Sequence, residues 1–280
     1  MKRVKNLLVV AIAFLLINSL NAQNKAFEVR VVGKGEPLLF FPGFACTDEV
    51  WEAQIKELAK EFECHLFTFA GFGDVPPIAF PWYPKIEKEV QAYIKKYKLE
   101  KATAIGHSLG GTLVLSLASK TPLFKKLIIV DALTATGALM FPNYNSDDMV
   151  YDSPYNSQVL AMGEEEFSKM ASGMASGMTA NKQKQNQIID WMKKADRKTY
   201  VYGYTDYLKV DLRKDISKIK VPVVILAATQ PFGEEMAKQT YESQYKNLGD
   251  YELRFAQDAA HFIMFDQPQW FMEQLEANLN

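Results

Sequence analysis

A chain of 280 residues with 32 Lys and Arg against 33 Asp and Glu carries a formal charge of −1 at pH 7. It has no basic surplus to neutralise phosphates, so nucleic acid is not an expected partner. The length suits one large α/β domain with an insertion.

The chain opens on Lys2, Arg3 and Lys5, followed by an unbroken apolar run over 7–17 and a more polar exit ending in the small residue Ala22. The run is too short to span a bilayer comfortably. This is the pattern of a secretory signal peptide over 1–22, cut after Ala22, and it places the mature protein in a periplasm or outside the cell. An uncleaved membrane anchor is the competing reading. No cysteine stands near the cut, which argues against a lipid-anchored mature end. Cleavage would leave 258 residues (280 minus 22) and take three basic residues with it, moving the charge from −1 to −4. Nothing later in the chain is long and apolar enough to cross a membrane, so no stable insertion is expected after cleavage.

An alternating stretch over 26–32 reads as an antiparallel edge strand, turned by Gly33-Lys34-Gly35. The compact apolar run 37–41 reads as a central strand. Helical spacing over 48–61 turns Val50, Trp51, Ile55, Leu58 and Ala59 inward. A strand over 64–69 follows. A helix beginning at Pro84 buries Ile86, Val90, Tyr93 and Ile94. Then come a short strand over 102–105, a helix over 112–118 and a strand over 126–130. Strands over 221–227 and 251–255 and a closing helix over 268–279 complete the pattern. Strands alternating with helices predict a mostly parallel, doubly wound α/β sheet with right-handed crossovers.

The rhythm breaks between Leu133 and Ser217, where no good strand appears. Helical stretches around 163–171 and 181–195 flank a Met-, Ser- and Gly-rich segment. We read 132–214 as a helical cap inserted after the strand ending at Asp131, with 23–131 and 215–280 forming the core. The cap would lie over the carboxyl edge of the sheet. Its methionines suit an adaptable apolar cavity or the seam between cap and core. Cys46 and Cys64 would enter an oxidising compartment, yet the topology puts them at opposite ends of neighbouring strands, beyond the ~7 Å Cα limit of a bridge. Two free, buried thiols are expected.

The chemistry centres on Gly106-His107-Ser108-Leu109-Gly110. A serine on a sharp strand-to-helix turn is pushed out of the backbone with its hydroxyl above the sheet, and flanking glycines allow the close approach. Acyl transfer by Ser108 needs a base, a group to orient it, and donors for the developing oxyanion. Three histidines exist. His107 sits beside the serine with its ring turned away, a packing or positioning residue. His65 lies at a strand start and is structural. His261 follows the last strand at the sheet edge that carries Ser108, and is the expected base.

Taken together, Pro42-Gly43-Phe44, Gly106-His107-Ser108-Leu109-Gly110 and a loop histidine before Phe262 resemble the α/β-hydrolase superfamily across nearly the whole mature chain except the cap. The resemblance implies that the backbone N–H groups of Phe44 and Leu109 form the oxyanion hole. Relatives most often carry the acid beyond the penultimate strand, but Ala227-Ala228-Thr229-Gln230-Pro231-Phe232 contains no carboxylate. A minority place it after the strand that follows the serine turn and its helix, which is Asp131 here. Asp258, Glu234 and Glu235 remain the other candidates. Glu234 and Glu235 open a helix, and Asp258 lies awkwardly close to His261 in sequence.

The implied activity is that of a serine hydrolase, most simply a carboxylesterase for small-to-medium apolar esters, with a small-molecule substrate as partner. Thioester, lactone or carbon–carbon hydrolysis and acyl transfer share the constellation. No cofactor or metal is expected, since there is neither a zinc-site spacing nor a phosphate loop. A non-catalytic binding protein is the competing class, motivated by the missing acid in the usual loop. Contact of the last helix with lipid through Trp270, Phe271 and Leu275 is a third reading, set against the commoner packing of such a stripe on the sheet.

Overall fold

Residues 25–141 and 143–279 are described by a computed structural model. The signal segment read from the sequence lies outside the described residues. Seven strands build one sheet: β1 (Phe27–Val32), β2 (Glu36–Phe41), β3 (Phe62–Phe69), β4 (Ala102–His107), β5 (Phe124–Val130), β6 (Val223–Ala228) and β7 (Tyr251–Ala256). Their order is β1-β3-β2-β4-β5-β6-β7. Only β1 runs antiparallel to its neighbour, β3. β4 and β6 are buried at every position, as strands covered by helices on both faces must be. The edge strand β1 alternates between partly buried and exposed residues.

Helices α1 (Glu52–Leu58), α2 (Trp82–Lys96) and α3 (Leu109–Lys120) follow the first parallel strands. Of the expected inward faces, Val50, Trp51, Ile55 and Leu58 in the first helical unit and Ile86, Val90 and Ile94 on α2 are buried, while Ala59 and Tyr93 are partly buried. Cys46 and Cys64 are both free and buried. Burial pushes the Cys64 thiol up to about 11 and the Cys46 thiol higher still, so both stay as inert thiols.

Between β5 and β6 every regular element among the described residues is helical. These are α4 (Thr136–Met140), α5 (Pro154–Ala161), α6 (Glu164–Met178), α7 (Lys182–Lys194), a π turn (Thr199–Gly203), α8 (Tyr204–Leu208) and two short 3-10 turns (Ser146–Asp148 and Asp215–Lys218). The sequence pattern anticipates α6 and α7, although α6 continues to Met178. It does not anticipate α4, α5, the π turn or α8. The Ser153-Pro154 pair was the available signal for α5, since Ser153 Oγ accepts the Asn156 N–H at 3.2 Å and proline fits the first helical turn. The segment is tied to the sheet by polar bonds. Trp191 Nε1 donates to Glu49 Oε2 at 3.2 Å, the Asp196 N–H to the Gly71 carbonyl at 2.8 Å, and the Phe262 N–H to the Met178 carbonyl at 3.0 Å.

After β6 the chain forms α9 (Glu234–Tyr245), and after β7 it forms α10 (Ile263–Asp266) and α11 (Pro268–Leu279). Phe271 and Leu275 of α11 are buried against the core, and Trp270 packs beside them. The stripe that could have met lipid therefore faces the sheet.

The junction of β4 and α3 is closely packed backbone against backbone. A Cβ on Gly110 would lie 2.2 Å from the Phe41 carbonyl oxygen, and one on Gly106 would lie 2.5 Å from the Gly110 oxygen. These neighbours are backbone and cannot swing aside. Gly173, inside α6, has open space around it. We expect Gly110→Ala to cost about 1–3 kcal/mol through overpacking. Gly173→Ala should stabilise by roughly 0.5–1 kcal/mol through helix propensity. Urea unfolding midpoints of the two variants should move in opposite directions.

Candidate active site

β4 stops at His107 and α3 starts at Leu109, so Ser108 alone makes the turn, at φ 52° and ψ −121°. For a residue with a Cβ this conformation costs of order 1–3 kcal/mol and persists only when the surroundings dictate it. Here they do. The Ser108 N–H donates to the Val130 carbonyl at 2.9 Å, continuing the β4–β5 ladder by one residue. The Asp131 N–H in turn donates to Leu226 of β6 at 2.8 Å. Since His107 pairs with Val130, Ser108 and Asp131 leave adjacent strand ends side by side. Asp131 also sits at positive φ, 43°.

His261 arrives from the loop after β7. Its Nδ1 lies 2.6 Å from Asp131 Oδ2. The other carboxylate oxygen, Oδ1, accepts two bonds of 2.8 Å, from the Ala228 N–H at the end of β6 and from the Tyr241 hydroxyl on α9. Burial by itself would push the Asp131 carboxyl up. The hydrogen bond and charge of His261, with the Ala228 and Tyr241 donors, outweigh it and hold the group below the usual carboxylate range. An ionised Asp131 accepts from Nδ1–H, which fixes the tautomer and leaves His261 Nε2 with a bare lone pair. No hydrogen bond joins Ser108 to His261 among the described residues. In acyl-transfer sites that contact is often long until a substrate is in place.

Ser108, Asp131, His261 and Phe44 line one cavity of about 720 Å³. Its walls come from the loops after β2, β5 and β6 and from α5, α6 and α7 of the helical insertion. They carry Tyr155, Met174, Met178, Trp191 and Tyr204 among others, and no Lys, Arg or Glu. The Phe44 ring is packed among Phe72, Trp82, Tyr200 and Tyr204 at centroid distances of 4.9–6.1 Å. Leu109 is fully buried and does not itself line the cavity. Neither the Phe44 N–H nor the Leu109 N–H has a hydrogen-bond partner within the described protein, so both donors remain available.

The alternative acids fall away from the imidazole. Asp258 is exposed, and its backbone N–H donates to Thr229 Oγ1 at 3.1 Å. Glu234 pairs with Gln257, and Glu235 accepts from Gln239. His65 is a structural residue of β3, 2.9 Å from both the Tyr93 hydroxyl and the Glu63 carboxylate.

His107 has a specific task that its position in the motif does not reveal. It is fully buried, and its Nε2 lies 2.9 Å from the His261 carbonyl oxygen. A carbonyl can only accept, so Nε2 carries the proton. Nδ1 is buried without a partner, and a Cβ on Gly43 would come within 2.8 Å of it. Burial, then the neighbouring His261, pull the His107 ring down to about 3, so it stays neutral. It braces the backbone of the loop that carries His261. The contributions of Ala228 and Tyr241 likewise escape a motif search. One is a main-chain amide with no residue signature, and the other lies on a helix 110 positions from its partner.

A mostly parallel sheet with a serine on a left-handed strand-to-helix turn and a carboxylate-bound histidine at the same edge defines a class, the α/β hydrolases. This chain belongs to it: the model of the alpha/beta hydrolase family matches residues 38–274. It is 25% identical over 286 residues to an abhydrolase domain-containing protein of Schizosaccharomyces pombe, covering 94% of this chain and 99% of the relative. Among solved structures it resembles an esterase from Thermogutta terrifontis, with a TM-score of 0.76 and 17% identity over 90% of this chain and 92% of that one. An esterase from Exiguobacterium antarcticum matches with a TM-score of 0.75 and 19% identity over 90% and 94% of the two chains.

The neutral, buried His107 has a consequence for acid stability. Its folded-state affinity for protons lies below the unfolded value, so the unfolded chain binds the extra proton and stability falls as pH drops from about 6.5 towards about 3. The slope approaches about 1.4 kcal/mol per pH unit from this group. His107→Gln keeps a donor for the His261 carbonyl and removes the titration. Urea midpoints measured between pH 7 and 4 should therefore fall less steeply in the variant than in the wild type.

Proposed function

We propose that this chain is a serine hydrolase that cleaves uncharged, largely apolar carboxylic esters of small to medium size through an acyl-enzyme. The observation that carries the reading is the 2.6 Å bond from His261 to Asp131 in the wall of the cavity that also holds Ser108. In this reaction His261 Nε2 takes the Ser108 proton as Oγ bonds to the ester carbonyl carbon. The N–H groups of Phe44 and Leu109 hold the oxyanion. The intermediate collapses, the ester C–O bond breaks, and the alcohol leaves with the proton from His261. Water then attacks the acyl group while His261 accepts its proton, and Ser108 is regenerated as the carboxylic acid departs.

The substrate class follows from the lining. A cavity of about 720 Å³ is the size that encloses a drug-like molecule. Asp131, already bonded to His261, is the one Asp, Glu, Lys or Arg in the wall, and His107 is neutral, so a charged acyl group would be buried without a partner. The N-terminal pattern further suggests that the enzyme works in a periplasm or outside the cell.

A fluorophosphonate probe should label the wild type and leave Ser108→Ala unlabelled. Labelling of neither would favour a binding protein over an enzyme. Asp131→Asn should lower kcat by on the order of 10³–10⁴ with a native circular dichroism spectrum. Near-normal turnover in that variant would remove Asp131 from the triad. Among p-nitrophenyl esters, kcat/KM for neutral acyl chains should exceed that for a hemisuccinate of similar size by about ten- to a hundredfold, and equal rates would contradict the apolar acyl site.

A further inference from the structure

Three side chains of α9 reach the segment 131–135, and they stand at helical spacing on one face: Tyr241, Gln244 and Tyr245. The Tyr245 hydroxyl donates to the Ala132 carbonyl at 2.7 Å. Gln244 Oε1 accepts from the Thr134 hydroxyl at 2.7 Å and the Ala135 N–H at 3.0 Å, and its Nε2 donates to the Ala135 carbonyl at 3.2 Å. The Tyr241 hydroxyl donates to Asp131 Oδ1 at 2.8 Å, and its ring stacks on that of Tyr245 at 6.0 Å and 6°.

From this geometry, and resting on the serine-hydrolase reading above, we propose that Tyr241 is a positioning residue for catalysis. It fixes the Asp131 carboxylate so that Oδ2 alone is presented to His261, and it shares the anion's charge so that His261 can release its proton to the leaving alcohol.

First, the Asp131 backbone is held at positive φ by its N–H bond to Leu226, but its carboxylate can still rotate about χ2. With Oδ1 engaged by both the Tyr241 hydroxyl and the Ala228 N–H, rotation breaks two charge-assisted bonds at once. Second, the two donors come from the β6 strand end and from α9, which together frame the loop that holds no carboxylate in this chain. That region supplies hydrogen bonds to the acid in place of an acid of its own. Third, Tyr241 is a donor throughout the working range. Burial, then the charge of Asp131, raise its hydroxyl well above the ordinary tyrosine value, so it keeps its proton. Gln244 and Tyr245 hold main-chain and hydroxyl groups of the same loop without touching the carboxylate. They separate a positional effect on the acid from a general loosening of the loop.

The test is a double-mutant cycle on the purified full chain, read by steady-state kinetics with a p-nitrophenyl ester. Tyr241→Phe keeps the ring and its stacking. It should lower kcat on the order of tenfold and leave KM within about twofold. It should also move the acid limb of kcat/KM to higher pH, because a carboxylate with one donor fewer holds the imidazolium proton more tightly. In an Asp131→Asn background the same substitution should change nothing, since the group it acts through is gone. Gln244→Ala should lower the thermal midpoint and leave the acid limb in place.

Equal losses from Tyr241→Phe in both backgrounds would overturn the proposal. So would an acid limb that does not move, or one that Gln244→Ala moves as far. If Asp131→Asn itself turns over at the wild-type rate, the triad assignment fails first. That outcome is distinct from full activity of Tyr241→Phe beside an inactive Asp131→Asn, which overturns the role of Tyr241 alone.

Discussion

A carboxylate at the carboxyl end of β5 receives bonds from three separate elements, and the rest of the site is arranged around that point. Asp131 meets His261 from the β7 loop, the Ala228 N–H from the end of β6, and the Tyr241 hydroxyl from α9. Taking a carboxylate largely out of water costs several kcal/mol. Hydrogen bonds to a charged group contribute roughly 1.5–3 kcal/mol each. Three of them are of the size needed to keep the group ionised where it stands, which agrees with the direction of its titration. An ionised Asp131 sets the tautomer of His261. That tautomer leaves Nε2 able to take a proton from a hydroxyl on the neighbouring strand end.

The same anchoring is seen from the imidazole's side. His261 is held through its ring by Asp131 and through its backbone by the buried, neutral His107. His107 is in turn locked against Gly43, in the loop that carries Phe44. The residue before the serine and the residue before the expected oxyanion donor therefore touch each other, and one of them supports the histidine loop. Strain is distributed in the same region. Ala45, Ser108 and Asp131 all adopt positive φ without being glycine. Ser108 and Asp131 directly follow parallel strands and Ala45 lies in the loop after β2, on the side of the sheet where its surroundings can over-determine the conformation.

The sheet was legible in the sequence because it obeys a simple rule: strands buried on both faces read as short apolar runs separated by helices. The stretches 37–41, 126–130 and 221–227 each fall within a residue or two of β2, β5 and β6. Ser108 and His261 were legible because a tight turn and a terminal loop leave marks in residue type, namely flanking glycines and a lone histidine. Asp131 was reached by the resemblance and by the empty loop after β6, and the structure shows it bound to His261. The helical insertion was legible only in outline. Its segment 199–208 interleaves tyrosines with small and β-branched residues, and forms a π turn running into a short helix. Neither the strand period nor the helix period dominates there. Ala228 could not have been found at all, since any residue except proline supplies that N–H.

The carboxylate that meets His261 stands at the end of β5 and not in the loop after β6. With no carboxylate to present, the stretch from Ala228 to Phe232 contributes one backbone N–H to the acid. The rest of it, including Thr229, Gln230 and Phe232, lines the cavity. Phe232 is 79% exposed, and Met236, in the first turn of α9, is 52% exposed. They face the cavity together with Leu139, Tyr155 and Met174 of the helical insertion. An apolar rim contributed by both halves of the fold thus surrounds the approach to Ser108. The face of α9 around Tyr241 anchors the acid, while its first turn, with Met236, shapes the opening. One helix therefore touches both the carboxylate that meets His261 and the rim of the cavity.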